Sequence, residues 1–356
     1  MHTVHCSRSD KIMGNIRKVY LRGLIEISNI CKKNCLYCGI RSGNCGVQRY
    51  ELSDEQILQE AQFALDSGYG SVVLQGGERT DSAYVERIAR LVHQIKRLKP
   101  RVPGAPGNPL GITLSLGEQS REVFREWYNA GAHRYLLRIE ASNRQLYEKI
   151  HPSGTEFEKK IHSYDARMQA LEDLKSVGYI TGSGVMIALP FQTRDHLEED
   201  LQFFRKFGVD MVGMGPYIPH KDTPLGQLVL GEMEKRERGE PHQDLGEFAY
   251  LSGREKLELS LWMIRRLREM MPHINIAATT ALQVLDPDGR EKAVLAGANV
   301  IMPNITETAQ RGNYQLYEGK PGVNDDAVST KLQLEANLAK IGAAIGWWQV
   351  GDPAHK

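Results

Sequence analysis

The sequence has no run approaching the roughly 20 consecutive apolar residues that a bilayer-spanning helix needs. It also lacks an excess of either charge: 45 Lys and Arg against 44 Asp and Glu leave a net charge of +1. That balance removes the electrostatic case for a general nucleic-acid binder or for an anionic membrane surface, so neither is expected as a partner. Cysteine is scarce and odd in number, five in 356 residues, and three of the five fall within eight positions. A disulfide scaffold is therefore excluded, whereas a metal or redox site is not. Met1 to Asp10 is polar with no apolar core, which makes a cytoplasmic location the expectation. With 41% apolar and 25% charged residues, the composition is that of a folded globular protein.

Strand-like and helix-like segments alternate along the chain. Strands are expected near 21–28, 71–75, 112–116, 134–139, 181–187, 210–213, 274–277 and 299–301. Helices are expected near 53–65, 82–98, 120–130, 162–177, 194–207, 254–271 and 289–296. Ser53 with Gln56 three residues later reads as a capping box, and Gly131, Gly178, Gly208 and Gly297 follow helical runs where a left-handed terminator belongs. Eight such units predict an α/β fold, a closed (β/α)₈ barrel of the TIM type with a C-terminal helix; an open barrel of six units is the alternative. Residues 100–109 read as a turn-rich loop and 228–251 as a charged surface excursion. The chain reads as one catalytic domain over 1–356, with its core at about 20–305 and an extension at 306–356 that ends in a helix near 327–341 and a polar tail.

Chemistry concentrates in the loop after the first strand. Cys31, Cys35 and Cys38 follow the spacing Cys-x3-Cys-x2-Cys, which lets three thiolates from one short loop converge on three irons of a 4Fe–4S cluster. The fourth iron would then be left for a chelating small molecule. On a helix the same positions would form a buried stripe, but Lys32, Lys33 and Asn34 lie between them. A structural zinc would need a fourth ligand, and no Cys or His stands at a suitable spacing. Cys6 and Cys45 fall outside the pattern and read as bystander thiols.

In a (β/α)₈ barrel, function gathers at the C-terminal ends of the strands. The second strand ends in Gln75-Gly76-Gly77-Glu78, where the glycines permit close backbone approach to a ligand. Thr113 lies on the third strand. Arg138 and Glu140, two apart, share a face of the fourth, where they need partners in a ligand or in each other. Arg167, on the following helix, could reach a carboxylate or be a solvated helix-face residue. Thr279, Thr280 and Tyr317 suit hydrogen bonding to a small polar substrate, and Met302 suits an apolar wall.

The cysteine loop, with Tyr37 just before its last cysteine, resembles the signature loop of radical S-adenosylmethionine (SAM) enzymes, and Gly76-Gly77-Glu78 resembles their glycine–glycine–glutamate segment. Further segments extend the resemblance: Thr113-Leu-Ser-Leu-Gly-Glu118, Arg134-Tyr-Leu-Leu-Arg-Ile-Glu140, Asp210-Met-Val-Gly-Met-Gly-Pro216, Ala277-Ala-Thr-Thr-Ala281 and Gly297-Ala-Asn-Val-Ile-Met-Pro-Asn304. Together, over about residues 20–320, they are similar to the FeFe-hydrogenase maturases of the HydE type, in the biotin synthase-like branch. The resemblance implies a 4Fe–4S cluster on Cys31, Cys35 and Cys38, with SAM cleaved reductively to a 5′-deoxyadenosyl radical. It implies Tyr37 near the adenine, and Gly76, Gly77, Glu78, Thr113, Glu140 and Arg167 near SAM. Arg138, Thr279, Thr280, Met302 and Tyr317 would line the pocket for a small or organometallic substrate. A low-potential electron donor of flavodoxin or ferredoxin type would be the partner. The chain departs from the pattern in having no cysteine after Cys45, so the accessory cluster of many maturases is not expected. Alternatives are an amino-acid mutase of the methylornithine synthase kind and an iron–sulfur carrier without SAM turnover. Sulfur insertion of the biotin synthase kind is disfavoured, because no further cysteines stand at strand ends.

Overall fold

The computed structural model describes residues 17–107 and 110–354. Cys6, the polar residues 1–10 and Pro109 lie outside them. Ten strands are described: β1 (Arg17–Ser28), β2 (Ser71–Gly76), β3 (Gly111–Ser115), β4 (Arg134–Leu136), β5 (Ile180–Ser183), β6 (Met186–Ile187), β7 (Met211–Pro216), β8 (Asn275–Ala278), β9 (Val300–Ile301) and β10 (Ala343–Ile345). All pairings between them are parallel. The order β1-β2-β3-β4-β5-β7-β8-β9 returns to β1 through Tyr20↔Val300 and Leu21↔Ile301, closing an eight-stranded barrel. The six-unit open alternative is thereby excluded. Short β6 continues the path of β5 and pairs with the end of β7 at Met186↔Gly215.

The helices form where apolar periodicity and caps coincide. Ser53 and Gln56 complete the expected capping box at Asp54–Asp66, and Thr193 with His196 does the same for Arg194–Phe207. Gly131, Gly178 and Gly208 end their helices in the left-handed conformation. Between the helix layer and the barrel lies a continuous core that includes Ile25, Ile27, Val72, Leu74, Leu114, Trp127 and Tyr135.

Two expectations are corrected. The charged stretch 228–251 is not a simple surface excursion: a helix spans Pro224–Glu237, buries Leu225 and Val229 one turn apart, and leads to a turn whose Phe248 and Ala249 are buried. Dense charge on the outer face hides this narrow apolar stripe. The C-terminal tail is likewise not a free polar end. After the helix Ala327–Lys340, β10 pairs with the start of β1, and the chain then runs under the barrel. There the Gly351 carbonyl accepts from Asn275 Nδ2 at 2.7 Å, and Asp352 pairs with the buried Arg134. No helix of the described residues is long and apolar enough to cross a membrane.

Candidate active site

The loop after β1 owes its shape to three neighbouring segments. Lys32 N–H donates to the Glu78 carbonyl at 2.9 Å and Glu78 N–H donates to Cys31 Sγ at 3.3 Å, tying the loop to the end of β2. Leu36 N–H donates to the Ile150 carbonyl at 3.1 Å, and Gly39 N–H to the Leu316 carbonyl at 3.0 Å. These contacts are close enough to require glycine. A Cβ on Gly77 would sit 2.3 Å from the Ile30 carbonyl oxygen, and one on Gly39 would sit 2.0 Å from that of Gln315.

Cys31, Cys35 and Cys38 all face a cavity of about 340 Å³ at the mouth of the barrel. Burial raises all three thiols, Cys35 to about 12, and the charge of neighbouring sulfurs adds to the rise at Cys35 and Cys38. Three thiolates this close are unstable without a cation between them, so the donor set fits an iron cluster held at three corners. Glu78, also on the cavity, has its carboxyl raised by burial against the pull of Lys33. Its Oε1 is buried and accepts no hydrogen bond, although the ammonium groups of Lys32 and Lys33 lie 3.3 and 3.5 Å away. A buried carboxylate oxygen of this kind is suited to an ammonium group of a ligand.

Arg138 and Glu140 partner each other through two hydrogen bonds of 2.8 and 2.9 Å. Arg138 also donates to the carbonyls of Val185, at 2.9 Å, and Gly213, so it clamps the strands around it. Gly184 and Gly213 leave the space: a Cβ on either would lie 3.2 and 3.5 Å from Arg138 Nη1. Glu140 has a left-handed backbone, φ 66°. Arg167 is not solvated: it is buried, donates to Glu118 and to the Arg138 carbonyl, and lines the cavity. Against burial, which raises it, Arg167 and Lys33 hold the Glu118 carboxyl down to about 2. Tyr37 meets His151 edge-on, its hydroxyl 3.5 Å from Nε2.

Gly76, Gly77, Thr279, Thr280, Met302 and Tyr317 also line the cavity, with Thr279 Oγ1 donating to the Met214 carbonyl at 3.3 Å. Fourteen of the fifteen residues expected at the site thus face one space. Thr113 is the exception: it lies a layer deeper, accepts from Arg134 Nε at 3.1 Å, and borders a separate chamber of about 20 Å³ with Arg22 and Asn275. Several contributors carried no sequence signal strong enough to single them out. Glu118, Lys33 and the buried Lys320–Glu26 pair complete the charge arrangement. His151 and His162 bring ring nitrogens within 4.8 Å of Cys35 Sγ and of each other. The alternating Arg22, Leu24 and Glu26 on β1 was the legible hint of a charged lumen.

Residues 25–204 match the family model of the Radical SAM superfamily. The [FeFe] hydrogenase maturase subunit HydE of Thermotoga maritima is 41% identical over 304 residues, covering 85% of this chain and 75% of that protein. A 3-methylornithine synthase of Methanosarcina acetivorans is 25% identical over 300 residues, 83% of this chain and 73% of that protein. The crystal structure of methylornithine synthase superposes with a TM-score of 0.68 at 23% identity, covering 93% of this chain and 84% of that one. Biotin synthases match at lower coverage. The chain belongs to the radical SAM superfamily, whose enzymes use a 4Fe–4S cluster and SAM. Within it, the sequence is HydE-like and of the biotin synthase-like branch.

Proposed function

We propose that this enzyme acts as a HydE-type maturase, cleaving SAM at a cluster held by Cys31, Cys35 and Cys38 and acting on a small cysteine-like or thiol–metal substrate in the barrel. The observation that carries the reading is the gathering of the three cysteines, Glu78 and the Thr279–Thr280 pair around one cavity. When bound, the cluster and SAM together supply a 5′-deoxyadenosyl radical. The chain's own residues have separate tasks. Glu78 would hold the SAM ammonium, the backbone at Gly76 and Gly77 would let SAM approach, and Tyr37 would lie against its adenine. The Arg138–Glu140 clamp and Arg167 orient ligands, while Thr279, Thr280, Met302 and Tyr317 line the substrate end. Burial of the lumen excludes water, which protects a reactive carbon centre from side reactions. Hydrogen abstraction needs no protein base. The reductant is a low-potential flavodoxin or ferredoxin, and the working place is the cytoplasm.

Anaerobic reconstitution should give about four irons per chain. Dithionite and SAM should then release 5′-deoxyadenosine, and Cys35→Ala should lose both iron and product. Added to a hydrogenase-maturation mixture lacking its HydE component, the enzyme should restore hydrogenase activity. Release of 5′-deoxyadenosine without restoration would refute the maturase assignment, and formation of 3-methylornithine would favour the mutase. A full cluster without 5′-deoxyadenosine would favour the carrier.

A further inference from the structure

The segment after Ile150 folds back over the cysteine loop and ends at His162. It is pinned at both ends: Leu36 N–H donates to the Ile150 carbonyl at 3.1 Å, and Lys33 Nζ donates to the Ile161 carbonyl. His162 is buried and touches the loop through both ring nitrogens. Nε2 lies 3.0 Å from the backbone N–H of Asn34, and Nδ1 lies 3.9 Å from Cys35 Sγ. The two contacts fix the tautomer. A backbone N–H can only donate, so Nε2 must carry the lone pair, and the ring proton must sit on Nδ1, facing the sulfur.

We infer that His162 is a positioning residue for the cluster, donating its Nδ1–H to the Cys35 sulfur and thereby making the cluster easier to reduce. The inference rests on Cys35 being a cluster ligand, as proposed above. The physical basis is general. A hydrogen bond to a ligating sulfur offsets negative charge, the reduced state carries more of that charge, and the potential rises. Cys31 Sγ receives a backbone donor, Glu78 N–H at 3.3 Å, which no side-chain change can remove. Cys35 receives its donor from a side chain and is thus the corner where sequence sets the potential. The Tyr37 hydroxyl also faces Cys35, so the His162 contribution is one of two side-chain donors there.

Two substitutions separate the roles of the ring. His162→Gln places an amide oxygen near the Nε2 position, keeping the acceptor for Asn34 N–H and losing the donor to sulfur. His162→Asn places an amide nitrogen near the Nδ1 position, keeping the donor and losing the acceptor. The measurement is the cluster midpoint potential of the reconstituted, SAM-free enzyme, followed by electron paramagnetic resonance across poised solutions. His162→Gln should take up the same iron as the parent but have a more negative midpoint. Its reduced-to-oxidised ratio at one poise should fall up to tenfold, or about 59 mV for a one-electron couple. His162→Asn should stay close to the parent. An unchanged midpoint in His162→Gln, or equal falls in both variants, would overturn the inference and leave His162 as a loop anchor. Should the Gln variant fail to hold iron, the parent decides: its reduced cluster must show a proton coupling that exchanges with deuterium and disappears in His162→Phe or, if that variant also lacks iron, one assigned to the imidazole by nitrogen-15 histidine labelling. Absence of that coupling refutes the assignment. Iron loss in Cys35→Ala tests the ligand set by itself, so a failure here in a protein that passes there counts against His162 alone.

Discussion

At the scale of single residues, much of the charge buried at the barrel mouth is held by partners that come from far away in the chain. Lys33 reaches Glu118 across 85 positions, and Arg167 reaches the same carboxylate across 49. Asp200 is a buried carboxyl that lacks such a cation. Its Oδ1 accepts from the Ser142 amide and hydroxyl at 2.8 and 2.6 Å, while Oδ2 has no hydrogen-bond partner. Burial raises its pKa to about 7. The folded state therefore holds a proton that the unfolded chain, with a carboxyl near 3.9, has already released. Stability is full below about pH 4 and falls as pH rises towards 7. Asp200→Asn keeps the Oδ1 contacts and removes this dependence, so it should gain on the parent by about 2 kcal/mol between pH 5 and pH 8. Urea unfolding at the two pH values checks this; parallel profiles would refute it. The same distance in sequence explains what was legible. Cys31, Cys35 and Cys38 are local and could be read from spacing, whereas Glu118, His151 and His162 become site residues only through contacts that no local period marks.

At the scale of elements, the strands were legible because parallel barrel strands are apolar runs between glycine-marked turns. The irregular top of β4 was not, since Glu140 takes a left-handed backbone that no propensity favours. Thr113 shows a second limit: alternation fixes which face a residue occupies, while closure of the barrel fixes how deep it lies. Two glycines show how an element's end serves the site. Gly117, just past β3, has φ 77°, and a Cβ there would sit 2.3 Å from Glu78 Oε2; Gly104 has φ 78°, but a Cβ would meet nothing within 4 Å. Both pay the left-handed penalty of about 1 kcal/mol on conversion to alanine. Only Gly117→Ala must also push the Glu78 carboxylate aside. It should weaken SAM binding at least tenfold in equilibrium binding to the reconstituted enzyme, with iron content retained, while Gly104→Ala leaves binding unchanged. Equal affinities in the two variants would show that Glu78 does not need its present position.

At the scale of the whole molecule, the chain closes its barrel at both ends with the segments that follow β9. The stretch carrying Tyr314, Tyr317 and Lys320 borders the mouth, and the last described residues, around Gly351 and Asp352, seal the floor. The polar tail expected from the sequence is a structural plug because its polar groups meet polar groups buried beneath the barrel. Arg22 and Arg134 are both 3% exposed, and they face one carboxylate, that of Asp352. Burial, and then the charge of Arg134, lower the Arg22 guanidinium to about 9 against the opposing pull of Asp352. Asp352→Asn would leave two buried cations without an anion. Breaking a fully buried pair costs about 3–5 kcal/mol. Because the Asp352 side chain is 43% exposed and partly screened, a loss of about 2 kcal/mol is expected. That should lower the melting temperature by a few degrees. The floor lies at the opposite end of the strands from the cysteine loop, so iron content and 5′-deoxyadenosine release well below the melting temperature should not change. An unchanged melting temperature would mean that the two arginines find their counter-charge elsewhere. A loss of 5′-deoxyadenosine release with iron intact would mean instead that the floor and the mouth are coupled through the strands that join them.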